Sequence, residues 1–293
     1  MIKSMTKEDR VFKYISNFII LITFILVLLP LLNLLSISLS GPTAIVSGKV
    51  FVWPVNFHIN AYKYVLSSKQ FFKSFEMSLM LALVGSFLGI VITIAAAYPL
   101  AKRQLPGRNI ILLAFVFTTM FSGGIIPSYM LIKSLGLFNK IWALILPGIG
   151  NVFNLLIAKS YFESIPEELE ESAKIDGASY TKILFKIMIP IAVPMISVLT
   201  LFYAVGFWNE YFSARLYITN STKMPLQLYL QTVISAANDP TRDFGINKEM
   251  ANTLIPQNIT NATIMIAMLP IMLIYPFLQR YFISGIMVGS VKG

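Results

Sequence analysis

The side chains able to do chemistry gather in one stretch of this chain. Glu167, Glu168, Glu170 and Glu171 precede Lys174, Asp176 and Gly177, and Lys182 and Lys186 frame the approach to Ile187-Met188-Ile189-Pro190. Nothing in that set forms a catalytic constellation. The chain has no cysteine, hence no thiolate metal site, and a single histidine, His58, too few for a histidine-based metal or acid–base centre. It also lacks the G-x-x-x-x-G-K-[ST] loop whose backbone cradles nucleotide phosphates. What remains is a charged, helix-forming island between long apolar runs, which has to sit in water against another surface.

The elements that position the island are apolar. Hydrophobic residues make up 56% of the sequence and charged residues 12%, too little charge to cover a soluble protein of 293 residues. Because about 20 helical residues cross a bilayer core, six runs qualify as spans: 18–39, 75–101, 110–132, 141–161, 189–212 and 262–283. None alternates as a barrel strand would, and only a helix satisfies its own backbone in lipid, so the expected fold class is all-α and polytopic. The first run follows Lys3, Lys7, Arg10 and Lys13, but its apolar core exceeds that of a signal peptide and reads as a retained anchor.

Basic residues set the expected orientation. With both termini inside, thirteen of the 23 Lys and Arg fall on the inner side, among them the compact Lys102–Arg108 turn and the island within 163–190. Residues 1–17 and 285–293 are then cytoplasmic ends of a membrane domain over 18–284, and 40–74 and 214–260 are outer loops. The net charge of +10 reflects this retention, since no basic stripe with interleaved aromatics suggests nucleic acid.

The island reads as helix, turn, helix. Ser164 and Glu167 have capping-box spacing, and Pro166 is expected in the first turn, where its missing N–H costs little. The four glutamates sit where the helix dipole favours them, and Leu169 and Ala173 share an apolar face. Asp176-Gly177 fits a helix stop, and Pro190 marks entry into the fifth span. A solvated loop is the plainer alternative; the caps, the small residue and the stop favour a docking hairpin.

With these residues in place, a family resemblance appears. Glu171-Ser172-Ala173, Gly177 after three residues, and Ile187-Met188-Ile189-Pro190 after nine more resemble the EAA loop of ABC-importer permeases, with Ser172 for the first Ala and Ile189 for Leu as departures. Gln279-Arg280-Tyr281 and Gly289-Ser290-Val291-Lys292-Gly293 are similar to the tail of MalG-type carbohydrate permeases. Ser122–Pro127, Trp142–Pro147 and Met224–Gln227 resemble the LplC/YtcP-like subgroup, which is associated with oligosaccharides, often polyuronate or plant-polysaccharide fragments.

The resemblance implies a MalG-like type I permease fold in a bacterial plasma membrane. It implies a second, homologous permease, two cytoplasmic ATPase subunits that bind ATP and Mg, and an extracellular solute-binding protein that delivers the sugar. This chain would bind no cofactor of its own. The ATPase-coupling residues would be Glu171, Ser172, Ala173, Asp176, Gly177, Ile187 and Pro190, with Gly289, Lys292 and Gly293 as a tail contact. An ABC permease for a non-sugar solute, or an ATPase-independent secondary carrier, are the rival readings.

For a sugar path, aromatic and amide side chains at Asn151, Asn154, Tyr203, Trp208, Asn209 and Glu210 are the candidates. An interfacial aromatic belt or interhelical asparagine bonds would account for the same residues. Gly85 and Gly89 form a GxxxG pair suited to close helix packing. In the outer 214–260 loop, Pro225, Pro240 and Pro256 argue against one continuous helix; its length suggests a functional or disordered loop, and the resemblance implies that it approaches the binding protein as a contact surface rather than a passive tether.

Overall fold

The computed structural model describes residues 7–121, 123–238 and 254–289, the last thirteen of these by backbone alone. Ser122, Pro240, Lys292 and Gly293 lie outside the described residues. Helix is the only regular structure among them, with no strand. The main helices are α1 (Lys7–Ser38), α2 (Lys69–Ala101), α3 (Arg108–Met120), α4 (Ile125–Ser134), α5 (Trp142–Ile149) and α6 (Val152–Ser164). They continue as α7 (Glu168–Ile175), α8 (Tyr180–Ile191), α9 (Val193–Trp208), α10 (Phe212–Tyr217), α11 (Leu226–Ala237) and α12 (Pro256–Gly289). By length and composition α1, α2 and the Pro256–Pro276 part of α12 can each cross a membrane alone. Three bent pairs raise the number of spans to as many as six.

Those bends are where the expected straight spans differ from the structure. The third run is α3 and α4, which differ in direction by 113°; Phe121 has left the helix for extended backbone (φ −123°, ψ 117°), and Gly124 precedes α4 at φ +85°. The fourth is α5 and α6, bent by 43° at Gly150-Asn151. The fifth is α8 and α9, bent by 80° at Ala192 between Pro190 and Pro194. Pro194 sits in the first turn of α9, where no N–H is needed, and Pro190 lies in the last turn of α8, beside the bend.

The chain divides into two compact units, residues 1–68 with 230–268, and residues 69–229 with 269–293. In the first, α1 carries exposed apolar side chains from Val11 to Val27, the surface expected of a helix bathed in hydrocarbon. The 40–74 region, expected as an outer loop, is not an open loop: Pro42–Val46 and Asn60–Ser67 are helical, and α2 already begins at Lys69. It is pinned to the end of α1 by Asn33 Nδ2 donating to the Phe51 carbonyl (2.8 Å), Ser36 Oγ to that of Val52, and the Val55 N–H to Ser40 Oγ (3.0 Å).

In the second unit the core is built on glycine. α2 contains one π-helical turn, Leu81–Gly85. A Cβ added at Gly85 would fall 2.6 Å from the Phe207 ring, and one at Gly89 would fall 2.7 Å from the Tyr203 ring. The GxxxG pair of α2 is therefore a groove one turn long, and the i, i+4 aromatics of α9 are the ridge that fills it. Gly148 of α5 closes on Phe207 from another side, its Cβ position 2.8 Å from that ring. The Tyr203 hydroxyl donates to the Ile149 carbonyl (3.1 Å) and shares a hydrogen bond with Thr93 Oγ1 (2.7 Å), so the buried phenol is satisfied.

Candidate functional site

The island folds as a helical arm, though not through the expected capping box. Ser164 ends α6, its Oγ donating to the Tyr161 carbonyl (2.7 Å), and the N-cap of α7 is Glu167, whose side chain makes no capping bond. Pro166 lies just before that cap rather than in the first turn. The physical reason is proline itself: it forces Ile165 into extended backbone (φ −77°, ψ 132°), which stops α6 at Ser164 and assigns the serine to the wrong helix for capping. Glu168, Glu170 and Glu171 do occupy the first turn, where the macrodipole favours them.

The stop forms as expected. Gly177 adopts φ +76°, the left-handed conformation that L side chains resist. The Ala178 N–H bonds to the Ala173 carbonyl (2.9 Å) and the Gly177 N–H to that of Lys174 (3.0 Å), the paired closure of a Schellman turn. Ser179 Oγ then accepts from the Lys182 N–H (3.3 Å) to start α8. Across the turn, Lys174 Nζ sits 4.9 Å from the Tyr180 ring centre.

The two faces of α7 are unlike. Outward lie Glu171, Ser172, Asp176, Leu169 at 44% exposure and Ile175 at 87%, a mixed apolar and acidic surface left open by the described residues. Inward lie Ala173 and, unexpectedly, Glu170 at 5% exposure. The apolar face inferred from Leu169 and Ala173 is thus split, and the buried face runs through Glu170 and Ala173, at i, i+3 spacing. Ile187 is half-buried against the core in the π-helical turn Leu184–Met188, while Pro190 is exposed at the bend.

Glu170 is buried because it is paired. Its Oε1 meets Lys102 Nζ, just past the end of α2, and that ammonium also lies 4.6 Å from the Tyr98 ring centre. The Tyr98 ring in turn stands edge-on to Phe162 of α6 at 5.8 Å. Beside this pair, Arg108 Nη2 meets Glu163 Oε1, Lys159 Nζ meets Glu163 Oε2 (2.8 Å), and Arg108 Nε donates to the Leu100 carbonyl (2.8 Å) at the end of α2. These contacts form a polar clasp joining the ends of α2, α3, α6 and α7. A cavity of about 720 Å³ opens beside it, lined by Lys102, Arg103, Glu171, Lys174, Tyr180 and neighbouring residues. No spacing in the sequence signals this clasp, because Lys102 and Glu170 are 68 positions apart.

The sugar-path candidates do not converge on one surface. Tyr203 and Trp208 are buried, the latter edge-on to Phe75 at 5.7 Å. Asn154 is buried one turn into α6, and Asn151 is its N-cap, Oδ1 accepting from the Asn154 N–H (3.0 Å). Asn209 is exposed and accepts from Gln227 Nε2 (3.2 Å), and Glu210 accepts from the Ser213 N–H (2.9 Å), starting α10. Gly289 is the last residue of α12. In the 214–260 region Pro225 precedes α11 and Pro256 opens α12, as their missing donors require.

Fold and site together define a polytopic helical membrane protein with an exposed charged arm tied to its span ends. The chain belongs to the family of binding-protein-dependent transport system inner membrane components, which it matches over residues 89–288. That family is one of transporter permeases, not of enzymes. Protein LplC of Bacillus subtilis (strain 168) is 43% identical over 289 residues, 98% of this chain and 97% of the relative. The polygalacturonan/rhamnogalacturonan transport system permease protein YtcP of the same organism is 38% identical over 288 residues, 98% of this chain and 100% of the relative. Among solved structures, a chain of a bacterial ABC transporter involved in the import of the acidic polysaccharide alginate aligns with TM-score 0.85 at 31% identity, covering 95% of this chain and 99% of that one.

Proposed function

We propose that this chain is the membrane-spanning permease subunit of an ATP-driven importer of oligosaccharides derived from acidic polysaccharides, delivered by an extracellular solute-binding protein. The substrate class is supported by the relatives, one named for polygalacturonan and rhamnogalacturonan and one structure for alginate, all aligned along nearly the whole chain. In this reading a second homologous permease completes the pathway. Two ATPase subunits carry ATP and Mg, and this chain binds neither.

The observation that carries the coupling reading is α7. A short helix with an exposed outward face of Leu169, Glu171, Ser172 and Ile175 would be wasteful in water alone and suits the cleft of a partner. Glu171 offers a carboxylate to a basic group there and Gly177 permits close approach, while the buried Ala173 seats α7 on its own chain. Closure of the ATP-bound dimer would move the arm and shift the spans between inward- and outward-open states, each state favoured by different contacts. Both termini are cytoplasmic in this arrangement, and the Gly289–Gly293 tail reaches the same partner. Co-purification with the ATPase subunits, partner permease and binding protein, followed by a screen of oligogalacturonates and neutral oligosaccharides for stimulated ATP hydrolysis, tests it. Stimulation by an oligouronate is expected; uptake by this chain without any ATPase would reject the reading.

A further inference from the structure

We propose that the Lys102–Glu170 ion pair is the strut that carries motion of α7 into the second span, an assignment that rests on α7 being the ATPase-facing arm. Two routes lead from α7 into the membrane domain. The covalent route runs through the left-handed turn at Gly177, along α8, and round the 80° bend at Ala192. A push along it meets two joints, each of which absorbs displacement by backbone rotation. The route back through Ile165 and Pro166 is an extended linker with the same weakness.

The second route has no such joint. Glu170 stands in the first turn of α7, on its buried face, and its partner Lys102 directly follows the last residue of α2. From there α2 runs helically all the way back to Lys69. Tyr98, under the Lys102 ammonium, bears on Phe162 of α6, and Arg108 ties α3 to Glu163 and to the final turn of α2. Further along, α2 grips Tyr203 and Phe207 of α9 through Gly85 and Gly89. Displacement of Glu170 therefore reaches α9 across the helix interface and bypasses the bend at Ala192.

An exposed ion pair would be too weak and too mobile for this role. This one is different on one side: the Glu170 side chain is 7% exposed, and the Lys102 side chain 27%. A carboxylate so desolvated holds its counterion, because separating the two leaves an uncompensated buried charge. The asymmetry also orders the variants. Loss of Lys102 strands the carboxylate, whereas loss of the Glu170 charge leaves an ammonium that can turn toward the adjoining cavity.

The chain contains no cysteine, so a reversible bridge can replace the pair. The double variant Lys102→Cys, Glu170→Cys is assembled with its partner permease, ATPase subunits and binding protein in liposomes, and sugar imported per ATP hydrolysed is measured. Without a bridge that ratio is expected to fall roughly tenfold, within the usual range of coupling between sites. A short bis-methanethiosulfonate linker between the two thiols restores it, and reduction removes the gain. Lys102→Arg keeps the wild-type ratio, while Lys102→Met lowers it with ATP still hydrolysed.

A wild-type ratio in the unbridged double variant, or arrest of transport on bridging, overturns the strut. So does a proportional fall of uptake and hydrolysis with complex yield, or failure of every variant including Lys102→Arg to assemble, since either makes the pair a structural staple. Absence of ATP-dependent uptake by the wild-type complex would instead reject the permease reading itself.

Discussion

Two of the contacts that hold α2 are opposite in kind. Midway along, Gly85 and Gly89 admit the rings of Phe207 and Tyr203, an apolar fit decided by volume. At its end, Lys102 meets Glu170 and the Leu100 carbonyl takes a hydrogen bond from Arg108, a polar fit decided by charge. The first has one geometry, because a glycine groove filled by rings leaves no second arrangement at native density. The second ties α2 to α7, an element outside the groove, through a desolvated carboxylate that holds its counterion. The difference assigns stability to the middle of α2 and transmission to its end.

Several substitutions would break or sharpen that division. The largest effect is expected for Gly89→Val, whose Cβ would lie 2.7 Å from the Tyr203 ring. Overpacking of this kind should destabilise the solubilised chain by about 3 kcal/mol, read as a fall in its unfolding midpoint, and Tyr203→Ala in the same chain should recover part of it. An unchanged midpoint would deny the groove its role. Tyr203→Phe is milder. It removes the hydroxyl from the Ile149 carbonyl and Thr93 while keeping the ring, and should cost about 1 kcal/mol with little change in sugar imported per ATP. Arg108→Lys is milder still: the charge opposite Glu163 persists but the Nε bond to Leu100 is lost, a change of about 0.5 kcal/mol. If this last variant destabilised more than Gly89→Val, the assignment of stability to the apolar contact would be reversed.

Length and hydropathy made the six apolar runs legible, because a bilayer of fixed thickness demands about 20 residues from any helix that crosses it. The bends within them were less so. Pro190 and Pro194 were visible, yet a proline pair marks where a helix turns and not by how much, here 80° at Ala192. Gly85 and Gly89 announced a close approach, but the rings that enter lie more than a hundred positions away. The stop at Gly177 was readable because Schellman geometry is local. Capping by Ser164 failed for a local reason too, since Pro166 ended the preceding helix first. Glu170 could not be singled out from its three acidic neighbours, because burial of a carboxylate depends on a partner that the fold alone delivers. The tail contact at Lys292 and Gly293 lies beyond the described residues.

Gly177 offers the most direct test of the coupling role, because a side chain built there meets none of the described residues within 4 Å. Any severe effect of a substitution must then come from a partner seated against the turn, over and above a backbone cost of about 1–2 kcal/mol for leaving glycine at positive φ. Uptake of oligosaccharide and binding-protein-stimulated ATP hydrolysis should be measured together on the Gly177→Asp complex in liposomes. The coupling account predicts normal membrane insertion with both activities abolished; normal uptake by that variant would contradict it.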